Sequence, residues 1–242
     1  MTSEELIAAV RVRLDDVALP YRVASSLILE QASLTQTEFA RSTLALYGVS
    51  SGAVTADDPW LDIPETMVVV KTVILGGVQL RPITTGELDF GYFTINDAEN
   101  SGRFGDWRAL TGIPKFVITD MYLDKVRLVP YPDEDGTASI EGFVTPPDLV
   151  FDGIVTPVDP QIPLMYHELL MAGTLLRLYL LMDVDVADAN KAQFYGKQWY
   201  EGLAEARHNL QTALRRQIRV MELPRGFIHD VLPQPTQQPQ GA

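Results

Sequence analysis

The fold is decided by residues 111–148, which read TGIPKFVITDMYLDKVRLVPYPDEDGTASIEGFVTPPD. Glycine and proline divide this stretch into short runs rich in β-branched residues, which is typical of strands joined by turns. The runs predicted as strands are residues 115–119, 126–129 and 138–144. The middle run ends in Pro130-Tyr-Pro132-Asp133, and Pro146-Pro147-Asp148 ends the last one, because proline cannot donate within a sheet.

Two helices are predicted before the strands. Thr2 and Glu5 have capping-box spacing, and apolar residues follow them at helical intervals. Pro20 ends this first helix, since proline disfavours a helical residue before it. The second helix is predicted over about residues 23–46, ending near Gly48.

Two further helices and a tail are predicted after the strands. The first of these helices opens at Pro163 and runs to Met182 with apolar residues on nearly every side, so it is expected to be buried in a core or an oligomer. A long helix follows over about residues 186–222. Residues 223–242 contain four prolines and are expected to be extended, either as a disordered terminus or as a segment that docks on a partner.

The predicted fold class is therefore α+β. It consists of an antiparallel helical bundle, an inserted β-sandwich or barrel-like domain, and an extended C-terminal tail. The predicted divisions are 1–48 (first helical part), 49–159 (β domain), 160–222 (second helical part) and 223–242 (tail).

The net charge of −13 is concentrated in the middle of the chain. Residues 50–160 hold eighteen acidic and seven basic side chains, and such a surface repels nucleic-acid phosphates. The chain has no cysteine, which excludes disulfides and thiolate metal sites. The N-terminus lacks a signal peptide pattern, and the most apolar stretch, residues 169–182, contains Arg177 and is too short to cross a bilayer. We expect a soluble protein without a membrane partner.

No catalytic, cofactor-binding or metal-binding residue is predicted. The three histidines are far apart, no Gly-x-Ser-x-Gly is present, and no phosphate-binding loop follows Gly76-Gly77. The acidic clusters at Asp57, Asp58 and Asp62 and at residues 133–135 match no EF-hand spacing, and the second is interpreted as a turn between strands. Four aromatic residues could form a sugar-binding face, although burial is the more common case: Trp60, Tyr92, Phe104 and Trp107.

The order of these pieces resembles the head-to-tail adaptor proteins of tailed bacteriophages, in particular the podovirus type. The resemblance rests on Gly112-Ile-Pro114, on the strand ending in Val129-Pro-Tyr-Pro-Asp133, and on the later helix that opens Leu164-Met-Tyr-His167. An opening helical pair that starts at Glu4-Glu-Leu-Ile also fits the family.

This resemblance implies a structural virion protein without enzymatic activity or a cofactor. Such adaptors assemble as a ring, dodecameric in the family, between the portal of the DNA-filled head and the tail. The implied partners are the portal, the tail nozzle or tube and the tail fibres, while DNA passes through the ring without sequence-specific binding. The implied location is the virion neck, after synthesis in the host bacterial cytoplasm.

Two groups of interaction residues are predicted. The portal-docking group combines the apolar patch of the tail with the last basic residues of the long helix: Phe227, Ile228, Val231, Leu232, Arg215, Arg216 and Arg219. The group predicted to pack subunit against subunit is Leu169, Leu175, Leu178 and Met182. Two other functions stay open, namely another tail-completion, stopper or nozzle-associated virion protein and, more remotely, a carbohydrate-binding module.

Overall fold

The computed structural model describes residues 1–89, 107–150, 158–181 and 188–222, with side chains up to residue 213 in the last range. The helices are α1 (Ser3–Leu14), α2 (Ser25–Thr43), α3 (Thr85–Asp89), α4 (His167–Leu180), which a 3-10 turn at Leu164–Tyr166 precedes, and α5 (Ala189–Glu222). The strands are β1 (Tyr47–Val54), β2 (Trp60–Asp62), β3 (Met67–Leu75), β4 (Val78–Gln79), β5 (Arg81–Ile83), β6 (Phe116–Ile118), β7 (Lys125–Val129) and β8 (Gly136–Val144). The predicted α+β class is confirmed.

The strands form two four-stranded sheets, with orders β1-β8-β3-β4 and β2-β7-β6-β5. Every pairing is antiparallel except β5 with β6. Apolar residues of both sheets share one cluster, which includes Leu61, Val73 and Ile140. Neither sheet closes into a barrel over the residues described, so the barrel alternative is wrong, while the sandwich and the domain limits stay predictions.

The start of α1 has the predicted capping box. The Thr2 hydroxyl accepts from the Glu5 N–H at 3.1 Å, and the Glu5 carboxylate accepts from the Thr2 N–H at 2.8 Å. The helix ends at Leu14, earlier than the proline at position 20 requires, because Asp15 adopts the left-handed conformation with φ 56°.

A buried ion pair holds the turn between α1 and α2. The Asp16 carboxylate accepts from Arg11 Nη1 at 2.8 Å and from the backbone N–H groups of Arg22 and Val23 at 2.8 and 3.1 Å. The same guanidinium donates to the Ser25 hydroxyl at 3.0 Å, at the first residue of α2. Asp16 and Arg11 are 3% and 6% exposed, so this polar network lies inside the helical region.

Buried polar side chains of α2 bind the segment that leaves the strands. The Ser33 hydroxyl accepts from the Leu149 N–H at 2.8 Å. The Gln36 amide donates to the Pro147 carbonyl at 3.2 Å and accepts from the Gln161 N–H at 2.9 Å. These contacts account for the polar stretch within an otherwise amphipathic helix, since each side chain satisfies backbone groups that would otherwise be buried without a partner.

Helix α4 is covered on nearly all sides by its own chain. It packs against α1, α2 and α5, and its buried residues are His167, Leu170, Met171, Ala172, Gly173, Thr174, Leu175, Leu176, Leu178 and Tyr179. The all-round apolar pattern of this helix therefore reflects a subunit core.

Gly173 lets α4 approach α2 and α5 closely, and Gly173→Ala is expected to destabilise the protein. A Cβ built at this position lies 2.4 Å from Thr35 Cγ2 and 2.8 Å from the Trp199 ring. Overpacking of this kind costs about 1–3 kcal/mol, which exceeds the ~1 kcal/mol that alanine gains over glycine in a helix. Urea unfolding followed by circular dichroism measures the change.

Gly196→Ala is the matched control for this prediction. Gly196 lies on α5, and a Cβ there meets only the flexible end of Leu176, at 3.3 Å. We expect a neutral effect or a gain of up to about 1 kcal/mol. If Gly173→Ala is also neutral, the close packing of α4 at this position is contradicted.

Candidate functional site

The predicted portal-docking group lies outside the part of the chain whose side chains are described. Phe227, Ile228, Val231 and Leu232 fall after residue 222, and only the helical backbone is described at Arg215, Arg216 and Arg219. These three arginines lie in the last turns of the 34-residue helix α5. The docking role itself stays a prediction.

The residues predicted for subunit packing lie in different environments. Leu175 and Leu178 are 0% and 2% exposed in the helical core of the chain itself. Leu169 is half-buried, and Met182 lies outside the described residues. Since the first two already contact their own chain, the apolar surface that remains near α4 is made by other residues: Leu164, Met165 and Leu180.

The motif that carries the adaptor resemblance has a structural role. The Gly112 N–H donates to the Tyr131 carbonyl and the Tyr131 N–H to the Leu110 carbonyl, both at 2.8 Å. Arg127 donates to the Tyr131 hydroxyl at 2.7 Å and to the Arg108 carbonyl at 3.0 Å. Its guanidinium also lies over the rings of three aromatic residues, at centroid distances of 4.9–5.4 Å: Trp60, Trp107 and Tyr131. These contacts hold the Gly-x-Pro segment against the strand that ends in Pro-x-Pro-Asp.

The aromatic residues considered for sugar binding do not form an exposed platform where the structure describes them. Trp107 is 2% exposed, and its indole N–H donates to Asp89 at 2.8 Å. That bond and the Arg108 side chain lower the pKa of the Asp89 carboxyl below its usual 3.8. Trp60 is half-buried and packs edge-on against Tyr122. Tyr92 and Phe104 lie outside the described residues.

The acidic clusters of the described chain organise turns. Asp135 accepts from the Ala56 N–H at 2.8 Å, and Asp58 accepts from the Trp60 N–H at 3.0 Å.

The buried His167 has a structural role at the start of α4, where its Nε2 donates to the Ile162 carbonyl at 3.0 Å. Across the described ranges, no group of three or more His, Cys, Asp or Glu side chains is arranged to hold a metal ion.

Two apolar surfaces lie on either side of β8 in the sheet β1-β8-β3-β4. One, which we name the β1 edge, is made by the edge strand β1, where Tyr47 and Val49 are 55% and 64% exposed. The Tyr47 hydroxyl donates to the Glu141 carboxylate of β8 at 2.8 Å. The other, which we name the β3 groove, has a volume of about 190 Å³. The residues that line the β3 groove are Ile63, Met67, Val68, Val69, Val70, Thr119, Tyr122, Leu123 and Val126. The alternation of apolar and polar residues along a strand does not show either surface, because both depend on which strands pair with each other.

Comparison with known proteins gives one family. The family model described as SU10 adaptor protein matches residues 1–221, a span that includes both sheets and the helices up to the end of α5. No curated protein matches the chain. None of the helices in the described ranges is long and apolar enough to cross a membrane.

Proposed function

Since the chain belongs to the SU10 adaptor protein family of phage head-to-tail adaptors, we propose that it forms a ring that joins the portal of the DNA-filled head to the tail. A phage adaptor is a structural protein of the virion neck, and its family implies contacts with portal and tail components and with other copies. The ring, its dodecameric symmetry and the contact with tail fibres are the finer parts of the proposal. The observation that carries it is the family match over residues 1–221.

Exposed apolar surface supports assembly with other copies. A cyclic ring uses heterologous contacts, which require two different complementary patches on each subunit. The chain offers the β1 edge, the β3 groove and the residues around α4, namely Leu164, Met165 and Leu180. Leu169 and Met182 stay within the proposed subunit contact.

Charge supports passage of DNA through the ring. Residues 50–160 carry eighteen acidic and seven basic side chains, and an acidic wall has few cations to displace the counterions of the phosphates. DNA then passes without sequence-specific binding. An image of the assembled neck with residues 50–160 on its outer surface would contradict this part of the proposal.

Deletion of residues 223–242 is expected to abolish attachment to the portal while it leaves the fold intact. The apolar patch Phe227, Ile228, Val231 and Leu232 is the proposed docking segment. We propose that Arg215, Arg216 and Arg219 add electrostatic attraction next to it. Co-sedimentation with the portal protein of the same phage, followed by negative-stain microscopy, measures attachment.

Deletion of residues 233–242 alone is the matched control. It removes the proline- and glutamine-rich end but keeps the apolar patch, so attachment should persist. Attachment that survives the longer deletion rules out the docking segment. Attachment to the tail nozzle but never to the portal would favour the alternative of a tail-completion or stopper protein.

A further inference from the structure

The described chain consists of two parts that bury separate apolar cores. Helices α1, α2, α4 and α5 pack on one another, and over the described residues no extensive packing joins one of them to a strand. The core of these helices includes Leu149 and Ile162, which follow β8, and the strands share other clusters with the short α3. We name the described residues of 1–45 and 146–222 the helical part, and those of 46–145 the strand part.

The chain passes between the two parts at two places that lie side by side. The Val144 N–H donates to the Leu46 carbonyl at 3.0 Å, which continues the register of the β1–β8 ladder by one residue. One residue further, the same register places Ala45 opposite Thr145. Opposite residues of antiparallel strands lie about 4.5–5.5 Å apart. The two crossings therefore define a short axis that runs across the strands.

Hydrogen bonds fix the chain on both sides of the second crossing. On the strand side, the Thr145 N–H and hydroxyl donate to the Thr66 carbonyl at 2.7 and 3.2 Å. On the helical side, the Gln36 amide donates to the Pro147 carbonyl at 3.2 Å. The buried Pro146 between them has no N–H that could add a bond. Rotation at this crossing therefore falls on the ψ angle of Thr145.

The first crossing is equally short. Helix α2 ends where Leu44 adopts the left-handed conformation with φ 54°, and the Leu44 N–H donates to the Ala40 carbonyl at 2.9 Å. Only Ala45 separates this helix cap from Leu46, whose carbonyl belongs to the β1–β8 ladder. Residues at the ends of elements are the ones that absorb the φ and ψ changes of hinge motions. Rotation at this crossing therefore falls on Ala45.

We propose that the strand part turns on the helical part as a rigid body, about the axis through Ala45 and Thr145. A residue before proline keeps ψ between roughly +120° and +160°, so rotation at Thr145 covers about 40°. A turn about this axis keeps the buried cores and the hydrogen bonds on both sides of it. Assembly into the neck then selects one orientation, because contacts made through both parts fix the angle between them. This last step rests on the proposed function.

Pairs of spin labels on cysteine variants measure the turn by double electron–electron resonance, since the natural chain contains no cysteine. One pair joins the exposed Gln198 of α5 to the exposed Val78 of β4. Val78 lies level with Gly52, which is seven residues along β1 from Ala45, or about 23 Å. A turn of ~40° moves this position by about 15 Å. We expect a distance distribution at least twice as wide as for pairs within one part.

Control pairs share a label site with the test pair and use other exposed positions. Ala8 with Gln198 lies within the helical part, and Val49 with Val78 lies within the strand part, so both distributions should be narrow. Val69 with Gln198 tests the position of the axis, because Val69 is level with a residue only two positions along β1 from it. This distribution should be narrower than that of Val78 with Gln198. Equal widths would contradict an axis through Ala45 and Thr145.

Thr145→Gly is expected to widen the distribution of Val78 with Gln198 by at least half. The change removes a side chain that restricts the backbone, together with the hydroxyl bond to the Thr66 carbonyl. Thr137→Gly makes the same substitution at an exposed position of β8 inside the strand part, and it should leave the width unchanged. If the two variants have equal effects, Thr145 is not the pivot.

Measurements with and without the portal protein of the same phage separate this inference from the proposed function. A wide distribution that narrows when the chain joins a ring supports both. A distribution of Val78 with Gln198 as narrow as the controls in the free chain overturns the hinge and leaves the adaptor function standing. A wide distribution that stays wide in rings seen by negative stain overturns the selection of one orientation. A wide distribution without any ring on the portal supports the hinge and contradicts the proposed function.

Discussion

Asp16→Asn is expected to lower the free energy of unfolding by about 3–5 kcal/mol, the usual cost of leaving a buried charge without its partner. The Arg11 guanidinium is 6% exposed and would lose its 2.8 Å contact with the carboxylate. The backbone N–H groups of Arg22 and Val23 would share one weaker acceptor. Total stabilities of single domains are about 5–15 kcal/mol, so this loss is large. Urea unfolding at neutral pH measures it.

Glu168→Gln is the matched control, because it also removes the carboxylate of an ion pair. The Arg13–Glu168 pair joins α1 to α4 at 3.1 Å, but the glutamate side chain is 74% exposed. Surface pairs of this kind contribute at most about 1 kcal/mol. Equal effects of the two substitutions would contradict the interpretation of Asp16 as a buried charge.

The same carboxylate gives stability a defined pH dependence. Burial opposes ionisation of Asp16, but the N–H groups of Arg22 and Val23 and the charges of Arg11 and Arg22 outweigh it, so the pKa lies below the usual 3.8. The stabilisation is therefore fully present above pH ~4 and is lost as pH falls through the native pKa. Asp16→Asn should remove this part of the acid dependence. If the free energy of unfolding falls equally steeply between about pH 4 and pH 2 in the variant and in the unchanged protein, this assignment to Asp16 is contradicted.

Trp199→Ala is expected to cost about 3–5 kcal/mol, because it opens a cavity where α4 and α5 meet. Trp199 is 1% exposed and is among the largest buried side chains of the described chain. Its ring lies against Gly173 of α4, where a Cβ would be 2.8 Å from the ring. Thermal and urea unfolding followed by circular dichroism measure the loss.

Tyr200→Ala is the control, since the neighbouring Tyr200 is 61% exposed and its loss should change stability by less than about 0.5 kcal/mol.

The variant lacking Trp199 also shows whether the helical and strand regions unfold together. Its only remaining tryptophans are Trp60 and Trp107, both in the strand region. If their fluorescence changes at a higher urea concentration than the helical signal, the helical and strand regions unfold separately, which tests the predicted domain limits.

Local features of the sequence predicted most of the elements. The capping box at Thr2 and the long helix ending at Glu222 depend on residues a few positions apart, and both are present. The predicted runs at 115–119, 126–129 and 138–144 correspond to β6, β7 and β8. The adaptor resemblance, which rests on the order of these pieces, is confirmed by the family match.

Local sequence patterns could not predict contacts between residues that lie far apart along the chain. The buried roles of Ser33 and Gln36 depend on backbone groups more than a hundred residues away, and a polar stretch alone reads as a weak point in a helix. Leu175 and Leu178 are buried inside their own chain. Hydrophobic periodicity gives the same apolar helix face for a residue in the subunit core and for one in a contact between subunits, so it cannot separate the two cases.

By itself, the sequence determined the α+β class and the order of helices and strands, because both depend on composition and spacing along the chain. The sequence also carried the resemblance that the family match over residues 1–221 confirms. Only the tertiary structure decided that β1 is an edge strand among the described strands and that Tyr47 and Val69 lie at equal height on either side of Phe143. Strand order is a matter of which distant segments pair, and neighbouring residues do not encode it. The surfaces that one copy offers to another therefore follow from the sheet topology.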